Sequence, residues 1–167
     1  MTIQELGAFG EMIGGIAIIV SLIYVAAQIR QNTRITMSAM AVATLDTTTA
    51  WYAQMGNNEQ SSSLFLHWMA APDSLTAEQR FQMTVNLHGL FLSFQNSYYL
   101  AKEGTLAQEI LHSLTEVVVG VKDQPGFLLF WKQRKSIFFK EFQDYVDLIL
   151  ASERRASEGL YENIDRN

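Results

Sequence analysis

The chain has 167 residues, enough for one domain of ordinary size. It is 49% hydrophobic and only 17% charged, with a net charge of −5; that balance excludes nucleic acid as a main partner, because phosphate recognition needs concentrated Lys and Arg. With no cysteine, disulfides, thiolate metal sites and a cysteine nucleophile are excluded, and two prolines and ten glycines suit an all-helical chain.

The first stretch of note is Met12 to Ile29, MIGGIAIIVSLIYVAAQI, which holds neither charge nor proline. Its length of about eighteen residues is what a helix needs to cross the hydrocarbon core of a bilayer, which predicts a transmembrane helix over 12–30. A secretory signal peptide would carry a basic segment before the apolar run, yet Glu5 and Glu11 are the only charged side chains there, so the segment is expected to be retained. A buried core helix would show a polar face, and here only Ser21, Tyr24 and Gln28 are polar. Arg30 and Arg34 follow the span, so the positive-inside rule places that end in the cytoplasm and residues 1–11 outside.

Gly7, Gly10, Gly14, Ala17 and Ser21 recur at steps of three and four, which sets them on one helical stripe. In lipid, small residues let two backbones approach closely, and dispersion then drives association. The stripe predicts self-association or docking on another membrane helix.

No helix breaker occurs between Ile16 and Met55, so the span is expected to run on as one helix into a cytoplasmic bundle covering 31–153. A break near Gln31 to Thr33 is the alternative. Gly56-Asn57-Asn58 ends this helix. A short helix over 61–71 follows, with Leu64, Phe65, Trp68 and Met69 on its apolar side, and Pro72-Asp73-Ser74 breaks it. Thr76 and Gln79 form a capping box ahead of a helix over 77–102, whose core stripe reads Met83, Leu87, Leu90, Phe94, Tyr98 and Ala101. Gly104 stops it. Further helices are predicted over 105–121, 127–135 and 136–153, the last with Phe138, Phe142, Tyr145, Val146, Ile149 and Leu150 inward. A charged tail, 154–167, is expected to fray. No useful period-two alternation appears. The fold predicted is all-α: one N-terminal transmembrane helix and a bundle of five or six helices.

The string SLIYVAAQIRQNTR, with looser likeness through SLTAEQRF, FQNSYYL and PGFLLFWKQRKSIFFKEFQDYVDLIL, resembles a group of uncharacterised bacterial single-span membrane proteins. The resemblance covers most of the chain and implies a bacterial inner (cytoplasmic) membrane setting with a small helical domain. It implies no catalytic residue.

Chemistry-bearing groupings are sparse. Glu109 and His112 form an ExxH, the spacing of di-iron bundles, but no second ExxH accompanies it. His88 lies near the polar side of its helix, where an interfacial histidine is expected rather than a ligand. The threonines after Asp46 read as packing residues. No P-loop, G-x-S-x-G or G-x-G-x-x-G is present. Lys132, Arg134, Lys135 and Lys140, set among Trp131, Phe138 and Phe139, could touch anionic lipid headgroups, although a helix junction with solvated cations is the plainer reading. Phe91, Phe94, Tyr98 and Tyr99 could line a pocket in the bundle, although such a series is more often core.

No catalytic residue, metal site or cofactor is predicted. The expected partners are the lipid bilayer and either further copies of the chain or a membrane complex. The leading expectation is a non-enzymatic, membrane-anchored assembly or accessory protein. The alternative is a membrane-tethered sensor holding an apolar ligand or lipid in its bundle. A metal-dependent enzyme around Glu109 and His112 comes third.

Overall fold

A computed structural model describes residues 3–154, of Glu5 the backbone alone. The described residues form six α-helices and no strand: α1 (Ile3–Gly56), α2 (Glu59–Ala70), α3 (Ala77–Lys102), α4 (Gln108–Val121), α5 (Pro125–Arg134) and α6 (Lys140–Ala151). Short 3-10 turns lie at Pro72–Ser74 and Lys135–Ile137. The chain divides between Ala39 and Met40 into two units. The expected tail lies outside the described residues except for Arg154, which pairs with Glu116.

The first unit is the N-terminal part of α1, and there is no helix break at Gln31 to Thr33. Its hydroxyls turn back onto the helix: Ser21 donates to the Ala17 carbonyl at 2.8 Å, Thr33 to Ile29 at 3.0 Å and Thr36 to Asn32 at 3.0 Å. Such back-bonding satisfies a polar side chain within its own helix.

The second unit is the bundle, and its local signals are capped as the residue types dictate. Asn58 accepts from the Gln60 and Ser61 backbone N–H groups at 2.8 and 3.2 Å, which fixes the start of α2 two residues before the expected one. Thr76 and Gln79 close both halves of the capping box at the head of α3. At its far end Gly104 adopts φ +73°, a left-handed conformation that glycine takes without strain.

The last helix departs from expectation. Residues 135–137 form the 3-10 turn, Phe138 and Phe139 are extended, and α6 starts only at Lys140. The Gln95 side chain on α3 accepts the Phe139 N–H at 2.8 Å, so a group more than forty positions away helps end that extended link.

The bundle closes on aromatic rings. Phe91 on α3 has Phe94, Phe127, Phe130, Trp131, Phe138 and Phe142 within 5.1–6.3 Å between ring centres, most of them edge-on or tilted as the ring quadrupole favours. Trp68, Phe127, Phe130 and Val146 are fully buried. α2 packs on α5 and α3, and α4 packs on α3 and α6. The buried stripe of α3 is Met83, Thr84, Leu87, Phe91, Phe94, Ser97 and Ala101; Leu90 and Tyr98, expected inside, are half-buried at its edge.

Candidate functional site

Three places could carry function: the exposed apolar stretch of α1, an apolar cavity in the bundle and the basic segment around α5.

Along α1 the most apolar stretch leaves no residue buried, and this helix is long and apolar enough to cross a membrane. Leu22, Ile23 and Ile18 each expose more than 60% of their surface. The stripe residues Gly7, Gly10, Gly14, Ala17 and Ser21 are all exposed on this helix. A Cβ built on any of the three glycines would meet nothing within 4 Å. Arg30 and Arg34 are likewise exposed.

In the bundle, a cavity of about 80 Å³ lies among Trp51, Phe65, Leu87, Phe91, Phe94, Leu114, Val118 and Phe127. Its lining is almost wholly apolar, drawn from α1 through α5. The aromatic series is thereby split: Phe91 and Phe94 line the cavity, whereas Tyr98 lies 4.7 Å from Tyr145 between ring centres and Tyr99 is exposed. Tyr52, also in the lining, has its phenol raised above the usual range by burial. Sequence reasoning misses Trp51; it stands in the series Met40, Thr44, Thr48, Trp51 and Met55, at steps of three and four, which forms the buried or half-buried face of this part of α1 and was the signal available.

The basic cluster separates on folding. Lys135 pairs with Asp147, which also accepts Trp131 Nε1 at 2.9 Å. Burial alone would raise the Asp147 carboxyl, but the hydrogen bonds from Lys135 and Trp131 outweigh it and hold that carboxyl below the usual range. Lys140 pairs with Asp144 one turn on. Lys132 is exposed, and Arg134 turns into a concavity shared with Arg80 of α3. Two of the four cations are therefore tied to carboxylates, and the other two face different surroundings.

His112 reaches Glu116 at 3.7 Å across one helical turn, and Glu109 is exposed. His67 Nδ1 bonds the Ser63 carbonyl at 2.7 Å. His88 sits 5.4 Å from the Phe138 ring. Among the described residues no three His, Asp or Glu side chains gather as a metal site would require. Thr47 and Thr48 donate to the Ala43 and Thr44 carbonyls, each at 3.0 Å; Thr48 is half-buried, whereas Thr47 and Thr49, expected to pack, are exposed.

These features define the class: an all-α protein with a helical bundle and one long apolar N-terminal helix. Compared with protein-family models, with curated proteins and with solved structures, the chain matches none.

Proposed function

We propose that this is a non-enzymatic, membrane-anchored assembly or accessory protein whose N-terminal helix lies in a bacterial inner membrane. The carrying observation is the bare apolar stretch of α1. About a dozen large apolar side chains between Leu6 and Ile29 are exposed, and each is worth about 1.5–3 kcal/mol when withdrawn from water. Their sum is tens of kcal/mol, beyond the net stability of about 5–15 kcal/mol that a whole domain has. A bilayer removes that penalty, and the backbone of a helix is internally satisfied there. Arg30 and Arg34 after the span favour a cytoplasmic bundle and an external N-terminus. The resemblance of SLIYVAAQIRQNTR to bacterial single-span proteins supports the same setting.

Assembly would run through the small-residue stripe, with further copies of the chain or a membrane complex as partner. The test is the mass of the complex released from native membranes, for the natural chain and for the Gly10→Leu, Gly14→Leu double variant. A discrete multiple of the 18.9 kDa chain that falls to the monomer in the variant supports the reading. A Cβ at either glycine meets nothing within 4 Å, and unchanged helicity of the variant would show that the loss does not reflect damage to the monomer. An unchanged mass rejects the stripe as the interface.

The cavity favours a second reading, a bundle that holds an apolar ligand. Its 80 Å³ is below the roughly 150 Å³ of an engineered cavity that takes up benzene, so it suits a short alkyl end rather than a whole lipid. A stoichiometric apolar molecule carried with the purified protein would favour that reading over assembly.

A further inference from the structure

Arg80 on α3 and Arg134 at the end of α5 line one open concavity of about 380 Å³, beside Thr84 and Gln133 and between Phe81 and Leu129. Neither guanidinium meets a carboxylate: the ion pairs of the described residues engage Lys102, His112, Lys122, Lys135, Lys140 and Arg154 instead. The lining holds no acidic side chain. Arg134 Nε is shut off from solvent and has no hydrogen-bond partner, which is rare for a buried donor. Arg80, Thr84 and His88 recur every fourth residue and share one face of α3. The Thr84 hydroxyl is already spent on the Arg80 carbonyl at 2.8 Å. His88 is held below the usual imidazole range, first by burial and then by the Arg134 charge, so the positive field extends along that face. Trp68 also lines the concavity and its Nε1 is unpartnered, but its Cδ1 edge, which carries the indole N–H, lies beside Gly126 at the other end of α5 from Arg134.

Two unneutralised guanidinium groups, one with an orphaned buried donor, line one concavity whose side-chain acceptors are all neutral, the Thr84 hydroxyl and the Gln133 amide oxygen. We propose that this concavity is an anion site for a phosphate group, gripped by Arg80 and Arg134 with the Gln133 amide as a further donor. The planar fork of arginine matches the oxygens of a phosphate, which has enough acceptors for both forks at once. The group could arrive as free phosphate or as the phosphodiester of a lipid headgroup.

The full chain in a non-ionic, phosphate-free detergent is titrated with inorganic phosphate and, separately, with a short-chain, water-soluble phosphatidylglycerol. The His88 ring and Arg134 Nε–H resonances report binding. Saturable shifts are expected. Arg80→Gln and Arg134→Gln should each weaken binding at least about tenfold, the scale of a lost charge-assisted hydrogen bond. Arg80→Lys, which keeps the charge without the fork, should retain part of the affinity. Lys132→Gln, exposed on the same helix, should leave it unchanged. Helicity measured on each variant shows whether it folds, and Arg80 lies outside the fully buried core. Saturation by inorganic phosphate assigns the site to the phosphate group itself; saturation by the lipid alone, with the same arginine dependence, assigns it to a headgroup. Absence of saturation with both probes, or equal weakening by Lys132→Gln, overturns the proposal.

Discussion

Gly126, in the first turn of α5, lies against the backbone of Trp68 on α2: a Cβ added there would fall 2.0 Å from the Trp68 carbonyl oxygen and 2.7 Å from its carbon. Those are backbone atoms, so the two helices would have to separate. Trp68 is itself fully buried, and α2 leans on α5.

Gly126→Ala should therefore destabilise the bundle by about 2–3 kcal/mol or more, at the upper end of what overpacking costs. Gly89→Ala is the contrast. Its Cβ would meet nothing within 4 Å, and alanine favours a helix interior over glycine by about 1 kcal/mol, so that variant should be neutral or stabilising. Urea unfolding of both variants checks the pair; equal midpoints would show that the Gly126 contact is not a constraint.

Much of the bundle was legible in the residues, because its signals are local. The Thr76–Gln79 capping box, the Gly104 stop and the break at Pro72 each act within four positions, and α3 came out over the predicted 77–102. What escaped depends on distant groups. α6 starts four residues after the expected position because an extended link intervenes, whose Phe139 N–H is held by Gln95. Proximity in sequence groups Arg134 with Lys135 and Lys140, whereas packing of α5 on its neighbours sets it in one concavity with Arg80, fifty-four positions earlier. Periodicity could not anticipate that pairing, since Arg80 stands one turn inside α3 with nothing in its surroundings to mark it.

His88 offers a pH test. Its imidazole is held below the usual value of about 6.5, by burial and by the Arg134 charge. The folded state thus binds the proton less readily than the unfolded chain. The associated stability is fully present above the unfolded value and is lost as pH falls through it towards the folded one. NMR titration should find His88 below 6.5, and Arg134→Gln should move it upward. An unchanged titration in that variant would remove the arginine from the cause.

Asp147 gives a second test of the same sign in a more acid window. Its folded carboxyl lies below the usual range, so its contribution is present above the unfolded value, near 3.8, and lost as pH falls through the folded one. Asp147→Asn should cost about 1 kcal/mol near neutral pH, a modest figure because Lys135 and Asp147 are each more than a third exposed and solvent screens them. The same variant should show a shallower loss of stability below pH 4. Thermal unfolding at pH 7 and pH 3 separates the two effects.

Thr115 on α4 and Tyr145 on α6 meet oxygen to oxygen at 2.6 Å. The Thr115 hydroxyl also lies 2.8 Å from the Leu111 carbonyl, which can only accept, so its proton goes there and the Tyr145 O–H donates to Thr115. That direction predicts an asymmetry. Tyr145→Phe leaves Thr115 with its own donation intact and should cost about 1 kcal/mol, the net worth of one hydrogen bond. Thr115→Val preserves the shape of a side chain only 6% exposed but leaves the phenol without its acceptor, and an unmet donor costs about 1–3 kcal/mol. The double variant removes both partners and should cost less than the two single costs together. A thermodynamic cycle from urea unfolding measures that coupling. Strict additivity would show that the two hydroxyls stabilise the α4–α6 contact independently of each other.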